Sequence, residues 1–425
     1  MNTSGLSAAD ILKEVQRKRN ALRDEETEAF GKLANLDLIA GYARLLGPHT
    51  AEVTRVDGSK SVYRAKNIVL ATGAKPLLIP VPGLPAARQL TNLSMFEQTD
   101  KPEHLAVVGS GVIGVEMAQA FAKLGSRVSM VSRADRVLGR LDPEASRVIG
   151  ASLRSQIDLY LKAQTDGYDE ATRTLSIKQN GALVPLTGVD KVLLAVGRVP
   201  VTQGLGLETV GVKVERSGVP IDGYGGTNVR GIYALGDVTQ TSNFTHSANA
   251  QGRRLVQRLA FAFLPRLAKE PEYPSATFSD LEVATVGPSL AELQRRFHPD
   301  LIKTLRYDLT KTDKGYTQSL SRGFVQLHVV RLTGRILSAT VVAPKASEMI
   351  SLLTAHLYNG LPVYKLSNLI FPYPILSEGF KKAADGFVFA TLPKLPEELG
   401  AYLKYRWAKP GSPKRIGERL EPVRG

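Results

Sequence analysis

Three glycines, in the run Gly109-Ser110-Gly111-Val112-Ile113-Gly114, have the spacing that points most directly to chemistry. In such a run the first glycine lets the chain turn tightly out of a strand. The second lets the backbone approach a pyrophosphate, and the third lets the next helix pack close to the sheet. The helix N-terminus then presents unpaired N–H groups to the anion. The pattern alone is weak; its flanks give it weight. The apolar run His104–Val108 precedes it, a helix is predicted from about Val112 to Leu124 with Gly125 at its C′ position, and Arg127–Val131 reads as the next strand.

The end of that second strand selects the nucleotide. An NAD site usually places a carboxylate there for the ribose 2′-hydroxyl. This chain has Ser132-Arg133, with Arg136 and Arg140 nearby and no carboxylate before Asp135. A guanidinium pairs with a 2′-phosphate, so NADPH is expected over NADH. The plainer alternative is that Arg133 is a solvated charge at a strand end.

These residues need a scaffold. Residues 8–35 read as an amphipathic helix, and Asn67–Gly73 as a buried strand ending in Thr72-Gly73. Pro76, Pro80, Pro82 and Pro85 mark 75–88 as a crossing connection outside any sheet. Lys191–Val196 is a further buried strand, and Gly231–Asp237 repeats the pattern of apolar strand and polar tip. Beyond about residue 270, Thr277–Val286, Arg322–Val330 and Arg335–Val342 look like an antiparallel meander. A helix over Ala346–Tyr358 and the turn Phe371-Pro372-Tyr373-Pro374 follow. The fold class is α/β, followed by an α+β module.

The composition excludes several classes. With 425 residues, two or three domains are expected. The chain has no cysteine, so it supplies neither a disulfide nor a thiolate ligand. Its 6 histidines show no ligand spacing, and no metal site is expected. No apolar run is long enough to span a bilayer and no signal peptide is visible, so a cytoplasmic protein without a membrane partner is expected. The net charge of +15 suits an anionic partner. Residues 401–425 hold seven Lys or Arg against two Glu and read as a solvated basic tail; no motif supports nucleic-acid binding.

Five segments, in order and at characteristic spacing, resemble the pyridine nucleotide–disulfide oxidoreductase family. They are Ala71-Thr72-Gly73, Gly109–Glu116, Ala195–Pro200, Gly231–Val238 and Ser279–Gly287. The mercuric-reductase-like and dihydrolipoamide-dehydrogenase-like branch is the most similar. The resemblance implies Rossmann-like FAD- and NAD(P)-binding domains followed by an α+β dimerisation domain. Their boundaries would be 1–100 with 225–268 for FAD, 101–224 for NAD(P), 270–390 for dimerisation and 391–425 for the basic tail.

It also implies residue roles. Gly109, Gly111, Val112, Ile113, Gly114, Glu116, Ser132, Arg133 and Gly197 would bind NAD(P), with Glu116 near the nicotinamide. Gly41, Ala43, Thr72, Gly73, Gly236, Asp237 and Ala248 would lie along FAD, with Asp237 accepting from a ribityl hydroxyl. Near the C-terminus, Tyr373-Pro374-Ile375-Leu376-Ser377-Glu378 aligns with a His-Pro-Thr-x-x-Glu stretch that serves the partner subunit, so Tyr373 and Glu378 become the candidate catalytic pair of a homodimer. A phenol with a pKa near 10 is a poor base at neutral pH and is better suited to donating a hydrogen bond.

Two family features are missing from these residues: a first glycine turn for the FAD pyrophosphate, and a redox cysteine pair. The chain therefore reads as N-terminally truncated, with an incomplete FAD domain and weak or no FAD binding. The implied reaction is hydride transfer from NADPH to flavin and on to a thiol, metal or other acceptor. The alternatives are a non-catalytic nucleotide-binding dimer and a cysteine-free diaphorase or quinone reductase.

Overall fold

The computed structural model describes residues 5–239, 241–261, 272–408 and 410. They fall into two units, Met1–Gly139 with Leu153–Pro271, and Arg140–Ser152 with Glu272–Gly425.

The first unit opens on helix α1, Ala8–Gly31, which ends about a turn before the expected residue 35. Ser7 starts it: its hydroxyl accepts from the Asp10 N–H while the Asp10 carboxylate accepts from the Ser7 N–H. Strands β1 (Tyr42–Gly47), β2 (Thr50–Thr54) and β3 (Lys60–Arg64) form an antiparallel meander. Next come β4 (Ile68–Leu70) and β5 (Ala74–Pro76). Here the expectation that 75–88 avoids all sheet structure is corrected, because Pro76 pairs with Arg198 in a two-stranded antiparallel ribbon. Both strands of such a ribbon are edges, so the N–H that proline lacks is not needed.

The nucleotide-type sheet is built from β6 (Gln89–Leu90), β7 (His104–Val108), β8 (Arg127–Ser132), β9 (Asp158–Leu161) and, after the antiparallel meander β10 (Ala163–Asp169), β11 (Thr174–Gln179) and β12 (Ala182–Leu186), β13 (Lys191–Leu194). Its order is β6-β13-β7-β8-β9, all parallel. Every residue of β7 is buried, as a central parallel strand covered on both faces requires. Helix α2 (Val112–Lys123) links β7 to β8 and buries Val115, Ala118 and Phe121. It stops where predicted. Gly125 sits at φ +90, its N–H donates to Ala122 O, and the Ser126 N–H donates to Phe121 O, closing a Schellman motif. The start of β7 is pinned by buried His104, whose ring nitrogens bond Thr187 O and Ser129 Oγ, each at 2.9 Å.

β13 stops at Leu194 rather than the expected Val196, and the chain turns through Gly197 at φ +139 into β14 (Arg198–Pro200), the partner of β5. β15 (Ile232–Ala234) pairs parallel with β4, and helix α4 (Thr245–Ala260) follows.

The second unit is an antiparallel sheet of β16 (Ser275–Thr277), β17 (Glu282–Val286), β18 (Ile302–Asp308), β19 (Phe324–Val330) and β20 (Ile336–Ala343), in the order β16-β17-β20-β19-β18. This corrects the meander. Thr277–Val286 is two strands, and β18 was not foreseen. Its lysine, threonine and arginine dilute the apolar alternation, and it gains order by pairing along β19. Short helices α5 (Leu290–Arg296), α6 (Asp313–Thr317) and α8 (Tyr364–Ser367) lie in the connections, and helices α7 (Ala346–Tyr358) and α9 (Glu378–Thr391) cover the sheet, burying Leu353, Phe380 and Phe387 with Val325 and Leu327 in one core. Burial of each such side chain contributes about 1.5–3 kcal/mol.

Arg140–Ser152, which carry nearly all of helix α3 (Pro143–Leu153), belong to this second unit although the chain reaches them from β8. Gln326 Nε2 donates to Asp142 Oδ2 at 2.8 Å, and Arg306 reaches Glu144 at 3.1 Å. The predicted solvated tail from 391 is also corrected in part. Leu395–Tyr405 forms a helix, α10, whose buried Glu398 accepts from Lys303 at 2.7 Å and Arg331 at 3.1 Å. The rest of the basic tail, Lys409 and residues 411–425, lies outside the described residues.

Candidate nucleotide-binding site

The turn from β7 into α2 shows why each glycine is needed. Gly109 takes φ +115, and a Cβ there would lie 2.3 Å from Ala195 O. A Cβ on Gly114 would meet Gly109 O at 2.1 Å. These two are demanded by the protein's own packing. At Gly111 a Cβ would meet nothing within 4 Å among the described residues beyond its chain neighbours. That open cradle is the space a pyrophosphate would fill. No side chain caps α2 at Gly111, and the N–H groups of Val112, Ile113 and Gly114 in its first turn lack intrahelical acceptors.

Around this turn the structure gathers most of the residues expected for NAD(P). Ser132, at the end of β8, is buried and its Oγ lies 2.8 Å from Ser110 Oγ. Arg133 follows it, exposed and without a hydrogen bond or ion pair among the described residues. Arg136 donates to Gly139 O at 3.0 Å, while its Nε is buried without a partner. Ala195, which leads to Gly197, donates its N–H to Val108 O at 2.8 Å, so both loops share the C-terminal edge of the sheet. Glu116 stands half-buried one turn into α2. The chain's own residues thus fit a nicotinamide dinucleotide.

A second cluster sits at the tips of β4 and β15. Thr72 Oγ1 donates to Val201 O at 2.7 Å, Gly236 N–H donates to Gln251 Oε1 at 2.7 Å, and Ala248 lies against Gly236. The Asp237 carboxylate is ion-paired with Arg198, which also donates to Ala74 O at 2.8 Å. Sequence reasoning placed Asp237 and missed Arg198, although the arginine directly follows Gly197. Gly41 precedes β1, where a Cβ would meet Thr54 O and Val53 Cγ1 at 2.7 Å, and Ala43 lies within β1. For FAD the fit is partial. Thr72, Gly73, Gly236, Asp237 and Ala248 form a polar tip. Among the described residues, however, no second glycine turn joins a strand to a helix and receives a pyrophosphate.

Tyr373 and Glu378 lie in the other unit. Tyr373 is 73% exposed, and its hydroxyl donates to Asp313 Oδ2 at 2.8 Å; that bond to a carboxylate holds the phenol above its ordinary pKa. Glu378 opens α9 and pairs with Lys382 at 3.3 Å. Asp313 was not foreseen. With this partner Tyr373 is a hydrogen-bond donor, not a base. Among the described residues no cluster of ligating side chains could hold a metal, and no helix is long and apolar enough to cross a membrane.

Comparison with known proteins agrees with this geometry. Residues 5–252 match the family model for pyridine nucleotide-disulphide oxidoreductase, and residues 273–384 match the dimerisation domain of the same enzymes. The chain belongs to the pyridine nucleotide-disulphide oxidoreductase family. Mercuric reductase of Acidithiobacillus ferrooxidans is 34% identical over 388 residues, 89% of this chain and 68% of that protein. Dihydrolipoyl dehydrogenase of Mycoplasma pneumoniae is 31% identical, over 81% of this chain and 74% of its own length. Among solved structures, the HOCl-induced flavoprotein disulfide reductase RclA of Escherichia coli superposes with a TM-score of 0.76 at 26% identity, covering 88% of this chain and 85% of that one. Members of the family are FAD-dependent and take a nicotinamide nucleotide as cosubstrate. The Rossmann-like fold followed by a dimerisation domain is therefore that of the family.

Proposed function

We propose that this chain is an NADPH-binding oxidoreductase that works as a homodimer, with the dinucleotide seated on the Gly109–Gly114 turn. The observation behind the reading is the open cradle at Gly111 beneath an uncapped helix, with a guanidinium at the end of β8 that is unpaired among the described residues. Val112, Ile113 and Gly114 would meet the pyrophosphate through their N–H groups. Ser132 and Arg133 would meet the adenosine ribose and its 2′-phosphate, and Glu116 and Gly197 would line the nicotinamide end. When bound, NADPH supplies a hydride. The protein's part is to hold it by preformed donors in a fixed register.

The polar tip at Thr72, Gly73, Gly236, Asp237 and Ala248, with Gly41 and Ala43, supports assigning the flavin end to this unit. No pyrophosphate seat for FAD is present among the described residues, so no step is derived through it. With no cysteine in these 425 residues, the chain contributes no dithiol to the onward transfer. That favours, as a second reading, direct delivery of electrons to a quinone- or dye-like acceptor. Exposed Phe278, Tyr316, Ile370 and Tyr373 on the second unit support self-association there, where Tyr373 and Glu378 would serve the partner's acceptor. A cytoplasmic location suits such an enzyme.

The test is nucleotide affinity. NADPH should bind more tightly than NADH, and Arg133→Ala should weaken NADPH by ~10–100-fold while leaving NADH unchanged, the loss expected for charge-assisted hydrogen bonds to a phosphate. Equal affinities in the unaltered chain would overturn the NADPH assignment. Dye reduction by NADPH with added FAD and no thiol would support the second reading.

A further inference from the structure

Helix α10 is amphipathic the wrong way round. Its protein-facing side is polar: Glu398 is only 7% exposed and is held by Lys303 and Arg331, and Tyr405 stacks on His298 with ring centroids 4.4 Å apart. Its outward side is apolar. Leu395, Leu399 and Leu403 recur at helical spacing, and the row continues into Trp407, which is 81% exposed. Leu392, just before the helix, is exposed as well. A row of large apolar side chains along one face calls for a partner. It also lies beyond the family's dimerisation model, which ends at residue 384.

The surrounding charge identifies the partner. Lys394, Lys404 and Arg406 are exposed beside the row, with Glu397 the exposed acid of the helix. The sequence then adds Lys409, Lys414, Arg415, Arg419 and Arg424 against Glu418 and Glu421. A second copy docking the same patch in a two-fold interface would bring like charges together. An anionic lipid surface accepts both the apolar row and the cations. The helix is about 16 Å long at 1.5 Å per residue, too short to span a bilayer and suited to lying in its interface.

We propose that α10 attaches this protein peripherally to anionic membranes, burying Leu395, Leu399, Leu403 and Trp407 at the headgroup–acyl boundary. The test uses the full chain and its one tryptophan. Mixing with vesicles of phosphatidylglycerol and phosphatidylcholine should shift Trp407 emission to the blue, shield it from acrylamide and float the protein with the lipid. Phosphatidylcholine alone should do none of the three. Leu399→Glu with Leu403→Glu should cut vesicle binding by ~10-fold or more, and Lys404→Glu with Arg406→Glu, which leaves the apolar row intact, by about 10-fold at low salt. Both pairs replace exposed residues, and an unchanged melting temperature shows that folding is not the cause. Four outcomes overturn the proposal. They are no shift with anionic vesicles, equal binding to neutral ones, a blue shift that grows with protein concentration without lipid, and emission already blue and shielded in dilute protein.

Discussion

The two strand tips of the first unit differ in what already holds their polar groups. At the ends of β7 and β8, Gly111 faces open space, no side chain caps the helix start and Arg133 has no partner among the described residues. At the ends of β4 and β15, Asp237 is paired with Arg198, the Gly236 N–H is taken by Gln251 and Thr72 bonds Val201 O. A ligand that meets the helix start and Arg133 gains contacts there without breaking any, whereas the Ser110–Ser132 hydroxyl pair is already engaged. At the second it must displace contacts the protein makes with itself, and each exchange returns only a fraction of a hydrogen bond's gross energy. The first tip is preorganised for an anion; the second is closed on itself.

The largest effect expected from this contrast separates glycines that serve packing from the one that serves the ligand. Gly109→Ala and Gly114→Ala would each drive a methyl group onto a backbone carbonyl, at 2.3 and 2.1 Å. Each should cost on the order of 3 kcal/mol or more of stability, seen as a fall in denaturation midpoint. Gly111→Ala adopts the same extended backbone, φ −78 and ψ −173, without a clash. Its stability should stay within about 0.5 kcal/mol while NADPH affinity drops ~10-fold or more. A Gly111→Ala protein that bound NADPH normally would remove the pyrophosphate from this turn.

At the second tip, Arg198→Met should free the Asp237 carboxylate, which is mostly buried beside it. Removing one partner of such a pair leaves an uncompensated charge. Because both side chains keep some exposure, a loss of about 1–3 kcal/mol is expected, less than for a fully buried pair. Asp237→Asn on top of Arg198→Met should recover part of it. If the double variant were no more stable than Arg198→Met, the pair would not be what closes this tip.

The difference between the tips also explains what could be read from the residues alone. The Gly109–Gly114 turn and the Gly125 helix stop are local: each follows from glycines adjacent to an apolar run, so both were legible, and Arg133 was visible as the residue after β8. What depends on residues far apart in the chain was not. Arg198 meets Asp237 across 39 positions, Tyr373 meets Asp313 across 60, and the α3 segment joins the second unit through Asp142 and Gln326, 184 positions apart. Helix α10 was hidden for another reason. Its buried face is an ion-pair network and its exposed face is leucine, so its pattern predicts the opposite orientation.

The smallest effect expected concerns pH, and it distinguishes the strands that lead to the two tips. His104 pins β7, and burial lowers its pKa below the ordinary value of 6.5. The unfolded chain takes up a proton near 6.5 while the folded chain resists it. The contribution of the neutral ring is therefore complete above about pH 6.5 and is lost as pH falls toward the depressed folded pKa, by at most about 1.4 kcal/mol per pH unit. No buried histidine stands in β4 or β15. Amide exchange measured between pH 7 and pH 5, corrected for intrinsic rates, should show β7 and β8 losing protection ahead of β4 and β15. His104→Gln, which keeps a donor and an acceptor but cannot take up a proton, should lower protection at pH 7 and abolish the difference in slope. Equal acid sensitivity of both strand pairs, unchanged in His104→Gln, would show that the histidine pins β7 without governing how the strands beneath the nucleotide turn respond to acid.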